Sequence, residues 1–172
     1  MDPNFTILLF CLTIASVCGN MYEVSIDSFE PDADIDASYL TMGTLRVTRK
    51  KRNSFSLSGD FEANQNWGNE NVGTFEVRGK DGSGPVLLSG KHHFCDFYNL
   101  DMEMVKAVIA ASNMPPQGTC PLPKGKYAID GFEIQEKDLP VVVMKDKYVV
   151  SARMMSPDGK LVVGYKVRLT VS

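Results

Sequence analysis

The chain has 172 residues, 44% of them apolar, and a formal net charge of −3. A slightly acidic chain lacks the basic excess that binding to phosphate backbones requires, so we expect no nucleic-acid partner. Its length suits one domain that buries about 70% of the surface of the unfolded chain.

An apolar run opens the chain, from Phe5 to Val17. It is too short to span a bilayer, which takes about 20 apolar residues, and small and polar residues follow it. We therefore interpret residues 1–19 as a signal peptide that is cut after Gly19. The prediction is a secreted, extracellular protein in which residues 20–172 form a single domain with a net charge of −2.

Beyond this leader, polar and apolar residues alternate, which is typical of strands with one buried face. Residues 22–27 form the first such run, and residues 45–61 form a hairpin with a charged tip. The remaining predicted strands cover residues 74–78, 127–134, 148–155 and 161–171. The last two are joined by the turn Ser156-Pro157-Asp158-Gly159 and predict a C-terminal hairpin.

Only one segment has the pattern of a helix, residues 101–112, which ends before Pro115 and Pro116. Its apolar residues nearly encircle it, so we expect it to lie against an apolar surface. About eight strands and one short helix predict an all-β sandwich or cup.

Four cysteines are present, and two of them, Cys11 and Cys18, lie in the predicted leader. A secretory route allows Cys95 and Cys120 to pair. Closing a loop of about 25 residues would then restrict the unfolded chain by roughly 3.5 kcal/mol. The alternatives are two buried free thiols or a zinc site, and the absence of a Cys-x-x-Cys unit disfavours zinc.

The segments around these cysteines resemble a known family. The relevant motifs are His93-Phe94-Cys95-Asp96, Cys120-Pro121 with Gly125-x-Tyr127, Leu139-Pro140, Lys147-x-x-Val150 and Ser156-x-x-Gly159-Lys160. Together they resemble the ganglioside activator-like proteins of the ML lipid-recognition superfamily, including the secreted insect relatives of those proteins.

The resemblance implies an immunoglobulin-like two-sheet β-sandwich or β-cup with one short helix and an apolar cavity between the sheets. It also implies a Cys95–Cys120 disulfide and a protein that holds acyl chains. Separately, the sequence has only two histidines and no convincing arrangement of a base and a nucleophile, so we predict that the protein is not an enzyme. The vertebrate pattern has further cysteines that this chain lacks, and Tyr165 stands where the last strand of that pattern carries one. The better analogue is therefore a secreted lipid carrier, or a chemosensory (pheromone) accessory protein.

A lipid cavity needs large, flexible apolar side chains, and methionine adapts well to irregular ligands. The predicted lipid-binding residues are Met102, Met104, Val105, Val108, Ile109, Met114, Val141, Val143, Met144 and Trp67. Each of them could instead fill a dry core, and Trp67 could either touch lipid at the rim or pack against the sandwich.

We predict no metal and no cofactor. His92 and His93 are adjacent on a strand and point to opposite faces, which disfavours a shared ion. The run that begins at Asp32 lacks the glycine and the bidentate glutamate of a calcium loop, since Ala37 and Gly43 occupy those places.

The predicted partner is a hydrophobic small molecule or lipid, with a membrane surface or a receptor as a further partner class. Residues 49–52, all basic, could dock on anionic headgroups or form a solvated turn that guards a strand edge. Two other functions stay open. One is an extracellular interaction module or receptor co-factor with a dry, closed core, and the other is a weak hydrolase that uses His92 or His93.

Overall fold

The computed structural model describes residues 23–51, 54–135 and 144–172, so the predicted leader lies outside the described residues. The strands found there are β1 (Val24–Pro31), β2 (Leu40–Met42), β3 (Arg46–Lys51), β4 (Ser54–Ala63), β5 (Val72–Arg78), β6 (Val86–His93), β7 (Gly125–Gln135), β8 (Asp146–Met155) and β9 (Leu161–Val171). The helices are α1 (Phe94–Tyr98) and α2 (Glu103–Ala110), with a 3-10 turn at Lys80–Gly82.

The strands form two antiparallel sheets. The first sheet has the order β1-β9-β8-β5-β6. In the second sheet, β4 is central: β7 pairs with one of its edges, and β2 and β3 pair with successive parts of the other. The predicted all-β, two-sheet architecture is therefore confirmed.

The register of the first sheet determines which side chains share a face. Phe75 lies opposite both Gly90 and Ala152, and Ala152 lies opposite Tyr165. Because directly opposite residues point to the same side, these side chains form one row across four strands. This is the inner face, since the hydroxyl of Tyr165 reaches Met42 in the second sheet.

The main hydrophobic core lies between this inner face and the second sheet. It combines residues from both sheets with Trp67, Tyr98 and Leu122 from the segments between strands. The buried members are Leu40, Ala63, Trp67, Tyr98, Leu122, Tyr127, Met154 and Val162. Segments outside the strands thus close one end of the fold.

Most predicted strands are confirmed, but the helices differ from the prediction. The helix expected at residues 101–112 is α2, Glu103–Ala110, and the described residues contain a second helix, α1. The prediction of one short helix was therefore wrong. Five residues span less than two turns, so α1 is too short to show a helical period in the sequence.

Gly59 has a backbone conformation that other residues rarely adopt, so its replacement should destabilise the fold. It has φ +130° at an irregular point of the β4–β7 register, and a Cβ there would lie 2.4 Å from the Thr44 carbonyl oxygen. We expect Gly59→Ala to lower the free energy of unfolding by roughly 2–4 kcal/mol, measured by chemical denaturation. Gly118→Ala is the control, because Gly118 also has a positive φ, +91°, but a Cβ built there would meet no other atom within 4 Å. Equal losses in the two variants would show that crowding at Gly59 is unimportant.

Candidate functional site: an apolar cavity on the first sheet

A cavity of about 280 Å³ lies against the inner face of the first sheet. Its lining comes from four strands, α1 and the segment between β4 and β5. The lining residues are Trp67, Gly73, Thr74, Phe75, His92, Phe94, Phe97, Ala152, Arg153, Met154, Val163 and Tyr165. No strand of the second sheet contributes to this lining, so the cavity lies between the first sheet and the α1–Trp67 layer.

Strand alternation decides which lining side chains face the cavity. Thr74 lies opposite Arg153, one position out of phase with the row that contains Phe75 and Ala152. The side chains of Thr74 and Arg153 therefore point to the outer face, where the Arg153 guanidinium pairs with Asp32. These two residues line the cavity with main-chain atoms, and its side-chain surface is almost entirely apolar.

Helix α1 carries two of the lining rings, Phe94 and Phe97, and its start is fixed by hydrogen bonds. The backbone N–H of Phe94 donates to the carbonyl oxygen of Asn71 at 2.9 Å. The Asn69 side chain donates to the Asp96 carboxylate at 3.0 Å and accepts from the Asp96 N–H at 3.2 Å. The position of α1 over the cavity is thus set by residues 69–71.

A disulfide between Cys95 and Cys120 also holds α1. The two Cα atoms are 5.8 Å apart, within the usual range for a disulfide. The pairing that the family resemblance implies is therefore present. It joins α1 to the segment that precedes β7, where Leu122 is fully buried beside Trp67.

The cavity is closed at one end and open at the other. At the closed end Trp67 is only 5% exposed; its ring stacks on Phe61 at 6.2 Å and meets Phe94 edge-on at 5.7 Å. At the open end Phe97 is 47% exposed, and its ring lies 6.4 Å from that of His92. The open end of the cavity therefore lies beside Phe97, and its closed end lies at Trp67.

Two ionisable side chains, His92 and Tyr165, belong to the cavity surface. Burial raises the pKa of Tyr165 to about 12, so its hydroxyl is neutral at physiological pH. That hydroxyl donates to the sulfur of Met42 at 3.4 Å, and its ring stacks on Phe29. Tyr165 therefore acts as a largely apolar surface, and no charged carboxylate is present among the lining residues.

Of the residues predicted to bind lipid, Trp67 lines this cavity. Met102, Met104 and Met144 are exposed, Val105 is buried, and Val108, Ile109 and Met114 are partly buried. Ile109 and Met114 pack against the main core. Val141 and Val143 lie outside the described residues. Ligand contacts by these other residues stay a prediction.

The strand residues of the cavity were missed by the sequence analysis. Gly73, Ala152 and Val163 are small, so neither size nor composition marks them. What these residues share is a position on the inward face of β5, β8 and β9. That shared face can be recognised only when the strand register is known.

The basic run at residues 49–52 and the acidic run that begins at Asp32 each contribute a residue to an ion pair within the fold. Arg49 pairs with Glu23 at 2.9 Å, and Asp36 pairs with Lys160 at 3.3 Å. Arg52, the last residue of the basic run, lies outside the described residues. Within the described part of the chain, no cluster of three or more metal-ligating side chains is found. No helix in that same part is long and apolar enough to cross a membrane.

The fold and this cavity define a two-sheet β protein with an apolar pocket that is open at one end. A family model described as "Protein of unknown function (DUF1091)" matches residues 73–150, which extend from β5 into β8. No curated protein matches the sequence.

Among solved structures, the chain is similar to chicken MD-1 complexed with lipid IVa. The two share 13% identity with a TM-score of 0.45, over 90% of this chain and 94% of that one.

Proposed function

We propose that this chain is a secreted, non-enzymatic binding protein that holds a lipid or lipid-like hydrophobic ligand in the cavity on the first sheet. The main support for this proposal is the cavity, which has a volume of about 280 Å³ and an almost wholly apolar side-chain surface. Each methylene moved from water into such a site contributes about 0.8 kcal/mol, before the costs of association. Its role would be lipid transfer or presentation, or that of a chemosensory (pheromone) accessory protein.

Secretion is supported by the Cys95–Cys120 disulfide, because such bonds persist mainly in oxidising compartments. The apolar run from Phe5 to Val17 supports it independently. The ligand contacts predicted for the α2 region, such as Met102 and Met104, remain part of the proposal as an exposed apolar surface beyond the cavity.

The single tryptophan provides a direct test, because Trp67 forms the closed end of the cavity. Bromine quenches indole fluorescence on contact. We expect ω-bromodecanoic acid, a fatty acid with bromine on its last carbon, to quench Trp67 saturably in the purified protein, and unlabelled decanoic acid to reverse the effect. Quenching that never saturates, or that decanoic acid does not reverse, would contradict the proposal.

A second candidate function, an extracellular interaction module, is favoured by the edge strand β6. Val86, Leu87 and Leu88 are consecutive in this strand and are 41%, 53% and 52% exposed. Exposed apolar edge strands can add a strand from another chain. Failure of every apolar ligand to reach Trp67 would favour this function over lipid binding.

A further inference from the structure

Three residues that line the cavity with their side chains carry a polar side-chain group: Trp67 an indole N–H, Tyr165 a hydroxyl and His92 an imidazole. A bound amphiphile must place its own polar end near one of them or in solvent, because an unpaired polar group in an apolar site is costly. Comparing the three groups therefore indicates how a ligand would be oriented.

Two of these groups are poorly placed to receive the polar end of a ligand. The Nε1 atom of Trp67 is buried and has no hydrogen-bond acceptor among the described residues, so an occupant of the cavity cannot reach it without displacing the ring. The hydroxyl of Tyr165 already donates to the sulfur of Met42. The closed end of the cavity, formed by Trp67 and Met154, therefore suits the apolar end of a ligand.

His92 differs from both. It is exposed at the open end, and neither of its ring nitrogens has a protein hydrogen-bond partner within the part of the chain that the structure describes. The neighbouring imidazole is engaged, since Nδ1 of His93 lies 2.6 Å from the carbonyl oxygen of Asn69. Strand alternation directs the two rings to opposite faces of β6, and His92 shares the inward row with Gly73 and Met154.

We propose that His92 is the specificity-determining residue of the site and that it hydrogen-bonds the oxygen-bearing end of a single-chain amphiphile whose tail points to Trp67. This inference rests on the proposed function. An imidazole can both donate and accept a hydrogen bond, which suits an alcohol or a carboxylic acid. A volume of about 280 Å³ lies just below the roughly 300–1,000 Å³ usual for ligand pockets, which favours one acyl chain over several.

The test compares three brominated ligands of equal chain length by quenching of Trp67: ω-bromodecanoic acid, ω-bromodecanol and bromodecane. In the wild-type protein we expect the acid and the alcohol to bind more tightly than the hydrocarbon. His92→Phe keeps an aromatic ring but removes both hydrogen-bonding nitrogens. It should weaken the two oxygenated ligands by about five- to tenfold and leave bromodecane unchanged or tighter.

Two further variants serve as controls. His92→Gln retains a donor and an acceptor, so it should keep most of the affinity for the oxygenated ligands even if His92→Phe folds poorly. His93→Asn changes the adjacent imidazole, which faces away from the cavity, and should bind all three ligands like the wild type. Orientation is tested with α-bromodecanoic acid, whose bromine lies beside the carboxylate and should quench Trp67 much less than the ω-bromo acid.

The outcomes separate this inference from the proposed function. Equal wild-type affinity for all three ligands, with no effect of His92→Phe, would overturn the role of His92 and leave lipid binding intact. Stronger quenching by α-bromodecanoic acid than by the ω-bromo acid would overturn the orientation. Absence of saturable quenching by any ligand would overturn both the inference and the proposed function.

Discussion

We expect Gly73→Leu to weaken ligand uptake by about 100-fold or more while the protein stays folded. Gly73 lies on the inward face of β5, and a Cβ built there meets only the His92 carbonyl oxygen, 3.7 Å away. The space beyond is the cavity. A leucine side chain would fill it without displacing protein atoms, so the ligand and the side chain compete for the same volume.

The same substitution should leave the free energy of unfolding unchanged or raise it. Glycine inside a strand is destabilising by roughly 0.5–1 kcal/mol, and a leucine there also buries apolar surface. Opposite effects on uptake and on stability are the signature of cavity filling, because a variant that damaged the fold would lower both.

Thr74→Leu is the matched control, since it adds leucine to the next residue of the same strand on the outer face. It should bind ω-bromodecanoic acid like the wild type in the Trp67 quenching assay. Equal binding by Gly73→Leu, or equal loss in Thr74→Leu, would show that the ligand does not occupy this cavity.

The second large effect concerns the disulfide. Replacing both Cys95 and Cys120 with serine should lower the free energy of unfolding by about 3.5 kcal/mol, since the bond closes a loop of 25 residues in the unfolded chain. For a domain of this size that corresponds to a fall in Tm of roughly 7–14 °C, measured by calorimetry or circular dichroism.

This double variant should also bind ligand less well, because the disulfide holds α1 and α1 carries Phe94 and Phe97. The remaining hydrogen bonds from Asn69 and Asn71 keep α1 near its position, so the expected effect on uptake is smaller than that of Gly73→Leu. A melting temperature unchanged from that of the wild type would contradict the stabilising role of the bond.

The two-sheet fold could be predicted from the sequence because most of its strands alternate clearly. The C-terminal hairpin is the best example, since β9 has the predicted bounds and β8 begins two residues earlier than expected. Of the edge strand β6, only the end at His92 and His93 was predicted as strand; its first part was missed, because Val86, Leu87 and Leu88 are consecutive apolar residues with no alternation. Polar and apolar residues alternate when one face of a strand is buried and the other is exposed. Both faces of β6 are largely exposed, so its sequence has no such pattern.

The site was harder to predict than the fold. Trp67 could be proposed because a tryptophan is conspicuous in a polar segment, and the disulfide followed from the family resemblance. The inward residues of β5, β8 and β9 could not be found, because an apolar cavity needs no charged or catalytic motif. Its shape depends on which small residues face one another across strands, and that is a property of register.

The most direct test of lipid binding is native mass spectrometry of the protein produced by a secretory route, followed by organic extraction of whatever is bound. We predict an adduct of a single small amphiphile on the wild type and on Thr74→Leu, and a clean mass for Gly73→Leu. A clean wild-type mass that stays unchanged after incubation with decanoic acid and decanol, or an adduct that persists on Gly73→Leu, would contradict binding in this cavity.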